Sequence, residues 1–199
     1  MAPFIRKLSP FIVFSLFLAL ASCATVERGA LIRAVEERPG SGAYIEDVPF
    51  FPRTGHMCGP AALASVVSYW SGEGADPEEI ASDVYVERLK GTLPMDMLIY
   101  AREQGFDASY YNGGMDDLKE KVFAGFPLIL FLNLGLRSVP VGHYVVVVGY
   151  SDPLASVLVH SGLKGEGVMG YAELERAWSK TGHSTLLIRP KAAPGAPQG

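Results

Sequence analysis

HMCGPAALASVVSYW, residues 56–70, is the stretch whose reading decides the fold. From Ala61 to Trp70 almost every side chain is apolar, which leaves no polar stripe for solvent and reads as a buried helix. Pro60 suits the first turn, because the N–H it lacks would have no partner there anyway. Cys58 is thereby expected at the helix N-terminus.

Working outward, residues 44–51 read as a strand, and Asp76-Pro77-Glu78-Glu79 is a helix start with an Asp cap, Pro at the first position and acids in the first turn. Further helices are expected over 94–104, stopped by Gly105, and over 115–123. The composition then changes. Residues 127–134 (PLILFLNL), 143–150 (HYVVVVGY), 157–160 and 185–188 are short apolar runs rich in β-formers, and Ser151-Asp152-Pro153 supplies a hairpin turn after the second. One more helix, 171–180, precedes Gly182. Helices first and strands later specify an α+β domain with N-terminal helices packed on a C-terminal antiparallel sheet, spanning 44–189. Residues 190–199 (PKAAPGAPQG) read as a disordered tail.

The 199 residues are 49% hydrophobic and 19% charged, enough for one domain to bury its own core without disulfide staples. With 17 basic against 21 acidic residues and no basic run longer than Arg6-Lys7, neither a nucleic-acid groove nor a polybasic membrane patch is expected. No His/Cys/Asp cluster has metal-ligand spacing, so no metal and no other cofactor is expected. Residues 162–170 (GLKGEGVMG) lack both phosphate-loop spacings and read as a flexible loop, so no nucleotide site is expected.

Residues 1–22 carry Arg6 and Lys7 ahead of an apolar run over 11–20, the layout of a signal peptide. The run is about half the roughly 20 residues of a membrane span. Leu20-Ala21-Ser22-Cys23 resembles the lipobox of bacterial lipoproteins, which implies lipidation of Cys23, and Ala24 in place of Asp points to the outer membrane. Since two acyl chains anchor stably where one does not, the mature protein is expected to stay on the cell envelope, facing the periplasm. Residues 24–38 have helical composition and Pro39-Gly40-Ser41-Gly42 breaks them, so 23–43 reads as a lipidated N-terminus and tether.

Cys58 is then left without a partner in an oxidising compartment, either buried and inert or kept for chemistry. At a helix start the macrodipole favours an anion, so its thiolate is expected below the usual pKa of about 8.5. A thiol hydrolase also needs a base. Among His56, His143, His160 and His183, His143 opens an all-apolar strand and would sit on a rigid sheet edge, whereas His56 shares the loop of Cys58.

VPFFPRTGHMCGPAALASVVSYW, then GTLPMDMLIYAREQGF, then GHYVVVVGY resemble the bacteriocin-processing cysteine peptidases that cut after double-glycine leaders, especially their stand-alone secreted relatives. The resemblance implies a papain-like fold, Cys58 as nucleophile and His143 as general base, acting on a peptide or peptide-like substrate. Two positions depart from the family pattern. The Gln that helps form the oxyanion hole is replaced by Arg53, and the acid or amide that orients the histidine is absent, with His160 or Ser161 left to do it. Three readings compete: a lipid-anchored cysteine peptidase, a catalytically weakened peptide- or partner-binding module on the same fold, and a peptidoglycan-directed amidase, which a Cys-His-His set would suit.

Overall fold

The computed structural model describes residues 26–53, 55–136, 138–162 and 165–191. The expected signal peptide, the lipidation site Cys23 and residues 192–199 of the expected tail lie outside them. The helices are α1 (Arg28–Glu37), α2 (Cys58–Ser71), α3 (Pro77–Val84), α4 (Pro94–Glu103), α5 (Met115–Phe123) and α6 (Tyr171–Trp178). The strands are β1 (Gly42–Tyr44), β2 (Tyr85–Val86), β3 (Gly91–Thr92), β4 (Asp107–Asn112), β5 (Leu128–Asn133), β6 (Gly142–Ser151), β7 (Ser156–His160), β8 (Glu166–Gly170) and β9 (Ser184–Arg189). Among the described residues β2 and β3 form a small hairpin, and the other strands make one antiparallel sheet in the order β4-β9-β5-β6-β7-β8, with β1 also on β6. The architecture is α+β and papain-like.

β6 is the spine of the sheet. Consecutive side chains point to opposite faces, yet all positions from Tyr144 to Ser151 are buried, so both faces of β6 are covered. α2 packs on β6, and α1 and α5 also reach it. α2 is itself buried from Gly59 to Ser68, the environment that its unbroken apolar sequence requires. The turn at Asp152 is closed by the Ala155 N–H donating to the Asp152 carbonyl, 3.0 Å, and joins β6 to β7 as the hairpin expected there.

Three local expectations are corrected. The segment at 44–51 is not a strand: β1 ends at Tyr44, Ile45 N–H still donates to Val148 O at 2.7 Å, and Asp47, at φ +59°, then turns the chain off the sheet. The stretch read as a tether contains α1, whose Leu31 is fully buried, so the packed domain begins before Tyr44. The segment read as a glycine-rich loop contributes β8, which pairs with β7 from Glu166 opposite His160 to Gly170 opposite Ser156. Backbone ladder bonds need no side-chain alternation, which is why the pattern was silent there.

Candidate active site

Cys58 is the first residue of α2, entered from a short 3-10 turn, Gly55–Met57. The N-cap residue, Met57, makes no side-chain cap, so it leaves the first amide groups of the helix open to other partners. Gly59 fits because it has no side chain: a Cβ there would stand 2.8 Å from Thr92 Cβ. The Tyr144 hydroxyl donates to Thr92 O at 3.0 Å and its ring packs against Phe131, tilted by 36° with centroids 4.7 Å apart, which ties β3, β5 and β6 together beside the thiol. Gly142 is required next to the histidine, since a Cβ would meet the Phe131 ring at 2.8 Å.

His143, the second residue of β6, and Cys58 both line one cleft of about 500 Å³. The His143 ring is held by a 2.8 Å hydrogen bond between its Nε2 and Ser161 Oγ, just past the end of β7. Sheet parity explains the choice of Ser161. Val146 is registered with His160, so continuing one step sets Ser161 opposite Val145, on the same face as His143 and diagonal to it. His160 therefore belongs to the other face, and the expected His160–His143 hydrogen bond is not formed. Its Nε2 lies 3.2 Å from Glu166 Oε1 and its ring packs edge-on against Phe50 at 5.5 Å.

Arg53 is likewise not aimed at a developing oxyanion. Its Nη2 donates to both carboxylate oxygens of Glu78, at 2.8 and 3.0 Å, and its Nη1 to the Pro52 carbonyl. Its backbone N–H donates to Gly162 O at 3.1 Å. Arg53 still borders, with Cys58 and Ser161, a hollow of about 20 Å³, space for one water. A long side chain finds an acid on α3 that the short Gln of the pattern could not reach.

The electrostatics also depart from expectation. Burial pushes the Cys58 thiol up, and the opposing backbone N–H groups of Tyr144, Gly59 and Cys58 itself do not outweigh it. Burial pushes the His143 imidazole down. Low surrounding polarity disfavours the charged form of each group. Sequence reading missed the Tyr144 N–H, which no residue type advertises, and Glu166, hidden among glycines. Among the described residues no group of three or more His, Cys, Asp or Glu could hold a metal ion.

A buried helix carrying a cysteine at its first position, set against an antiparallel sheet that carries a histidine, defines a cysteine peptidase-like protein of papain-like fold. Residues 45–186 match the Peptidase_C39 like family, and the chain belongs to it. It is similar to a double glycine motif protease from an AMS/PCAT transporter, solved in complex with the leader peptide, at 24% identity and TM-score 0.60, covering 75% of this chain and 95% of that one. A putative C39-like peptidase from Bacillus anthracis aligns at 18% identity and TM-score 0.64, covering 76% and 99%. The peptidase domain of Streptococcus ComA, a bi-functional ABC transporter involved in a quorum sensing pathway, aligns at 19% and 0.58, covering 72% and 99%. No curated protein sequence matches the chain significantly.

Proposed function

We propose that the protein is a cell-envelope cysteine peptidase that hydrolyses peptide bonds with Cys58 as nucleophile, His143 as base and Ser161 as the residue orienting His143. The observation that carries this reading is the Ser161 bond, which fixes the ring of a histidine on the rim of the cleft that Cys58 also lines. When Nε2–H donates to Ser161, the lone pair sits on Nδ1. Nδ1 then takes the thiol proton as sulfur attacks the peptide carbonyl, and the oxyanion accepts from amide N–H groups at the uncapped start of α2. His143 returns the proton to the leaving amine. Water, deprotonated by His143, then hydrolyses the thioester and regenerates the thiol.

A peptide substrate is supported by the relative solved with a bound leader peptide. The lipid anchor on Cys23 and an outer-membrane, periplasm-facing location belong to the same reading and rest on the N-terminal sequence. The second reading, a weakened peptide-binding module, is favoured by the occupation of Arg53 by Glu78 and by the raised thiol. Incubating a broad peptide library with wild type and with Cys58→Ala separates the two. Cleavage by wild type alone supports the peptidase, and equal binding without cleavage supports the module.

A further inference from the structure

Glu166 is only 14% exposed in its side chain, and it accepts from three donors on three other elements. They are Arg28 of α1, the Tyr44 hydroxyl of β1 at 3.0 Å and His160 of β7 at 3.2 Å. Arg28 also donates to the Tyr44 hydroxyl at 3.0 Å, which closes the set. Burial alone would raise the Glu166 carboxyl, but its hydrogen bonds from Arg28, His160 and Tyr44 hold it below the usual range. A carboxylate withdrawn this far from water persists only with such partners, so the cluster is fixed in place.

His160 and Glu166 are the registered pair at the end of the β7–β8 ladder, and the connection between them begins with Ser161 and Gly162. Those two residues reach both arms of the site. Ser161 Oγ holds His143, and Gly162 O takes the N–H of Arg53, on the segment leading to Cys58. His160, which itself borders the hollow beside Cys58, and Ser161 are adjacent and point to opposite faces, so fixing the His160 ring fixes the backbone from which Ser161 projects.

We propose that Glu166 is a positioning residue for His143: clamped by Arg28 and Tyr44, it holds His160, and through that strand end the Ser161 hydroxyl. The inference rests on the reading of Cys58 and His143 as the reacting pair. It also gives α1 a task, because the helix nearest the expected anchor supplies Arg28. Misplacement of a reacting group by an ångström can cost up to about a hundredfold in rate.

The test compares Glu166→Ala, Glu166→Gln and Arg28→Ala by peptide turnover and by ¹⁵N NMR of the His143 ring. Glu166→Ala is expected to lower kcat about ten- to a hundredfold with KM unchanged, and to replace a single His143 tautomer with a mixture. Glu166→Gln keeps an acceptor oxygen and is expected to recover most of both. A folded Glu166→Ala with wild-type kcat and one His143 tautomer overturns the proposal, as does Glu166→Gln as impaired as Glu166→Ala. Should Glu166→Ala fail to fold, Arg28→Ala, which removes one donor from a half-exposed position, is expected to shift kcat and tautomer the same way, and no shift in either overturns it. Because the NMR arm needs no turnover, an absence of hydrolysis in wild type would sink the peptidase reading while the tautomer still decides on the clamp.

Discussion

His143 Nε2 on β6 and Ser161 Oγ, just past the end of β7, lie 2.8 Å apart, and this single bond sets the orientation of the imidazole at the cleft. A hydroxyl can hold the ring but brings no charge to stabilise an imidazolium, so the arrangement favours the neutral imidazole. Ser161→Ala is expected to lower kcat about tenfold or more by freeing the ring, at a stability cost of about 1 kcal/mol for one hydrogen bond. Steady-state kinetics beside thermal melts separate these. A loss of stability with kcat intact would remove Ser161 from the mechanism.

The pH dependence of the thiol follows from burial. Desolvation disfavours both thiolate and imidazolium, raising Cys58 and lowering His143. Alkylation by iodoacetamide is therefore expected to rise with pH to a midpoint above the ordinary thiol value of about 8.5. A midpoint between about 3.5 and 7.5 would instead reveal a stabilised thiolate, the outcome that the helix terminus alone suggests.

Stability should respond to pH through the same histidines. His143 and His160 both have folded-state pKa values lowered chiefly by burial, so the folded protein binds fewer protons than the unfolded chain as they titrate. Their contribution is present above the unfolded value of about 6.5 and is lost as pH falls through the lower folded values. Urea midpoints measured at pH 8 and at pH 5 are expected to drop on acidification. His160→Phe should flatten that drop, and an equal drop in both forms would assign it to other groups.

How legible the molecule was depends on what each residue type reports. The apolar run of α2 and the valines of β6 mark a buried helix and a doubly covered strand, because burial on all sides leaves a compositional trace. Strand register leaves none. Whether His160 or Ser161 shares a face with His143 turns on the pairing of Val146 with His160, and a one-residue slip reverses the answer. Glu166 sits between Gly165 and Gly167 in a segment whose pairing comes from backbone bonds, so only the fold reveals that Arg28, 138 residues away, meets it. The burial of Cys58, which reverses the effect of its helix terminus, is also a property of packing rather than of local sequence.

α1 tests where the domain begins. Leu31 is fully buried, and Val35 packs against the same core. Leu31→Ala is expected to cost about 2–5 kcal/mol, the range for a core leucine that leaves a cavity. Denaturant titration of the variant checks this. A change within about 0.5 kcal/mol, typical of surface positions, would return α1 to the role of a tether.

Arg53 decides between enzyme and binding module. The tetrahedral intermediate of acyl transfer needs preorganised donors at its oxyanion, and the loss of one typically costs about 10²–10³ in rate. At this position the guanidinium is engaged by Glu78 and by the Pro52 carbonyl, so Arg53 adds no side-chain donor to those beside Cys58. The backbone is nevertheless in place, since the Arg53 N–H is fixed on Gly162 O whatever side chain it bears. Replacing Arg53 with Gln breaks a partly exposed ion pair worth about 0.2–1 kcal/mol, so the fold should survive. The shorter amide cannot follow Glu78 outward and is left free to face the cleft. Slow, Cys58-dependent hydrolysis in wild type is expected to rise by up to about a hundredfold in Arg53→Gln. Glu78→Ala, which frees the guanidinium without shortening it, should give a smaller rise if arginine can serve as the donor. Two folded variants that bind peptides as wild type does, with no turnover in any of the three, would leave the binding module as the function of this cleft.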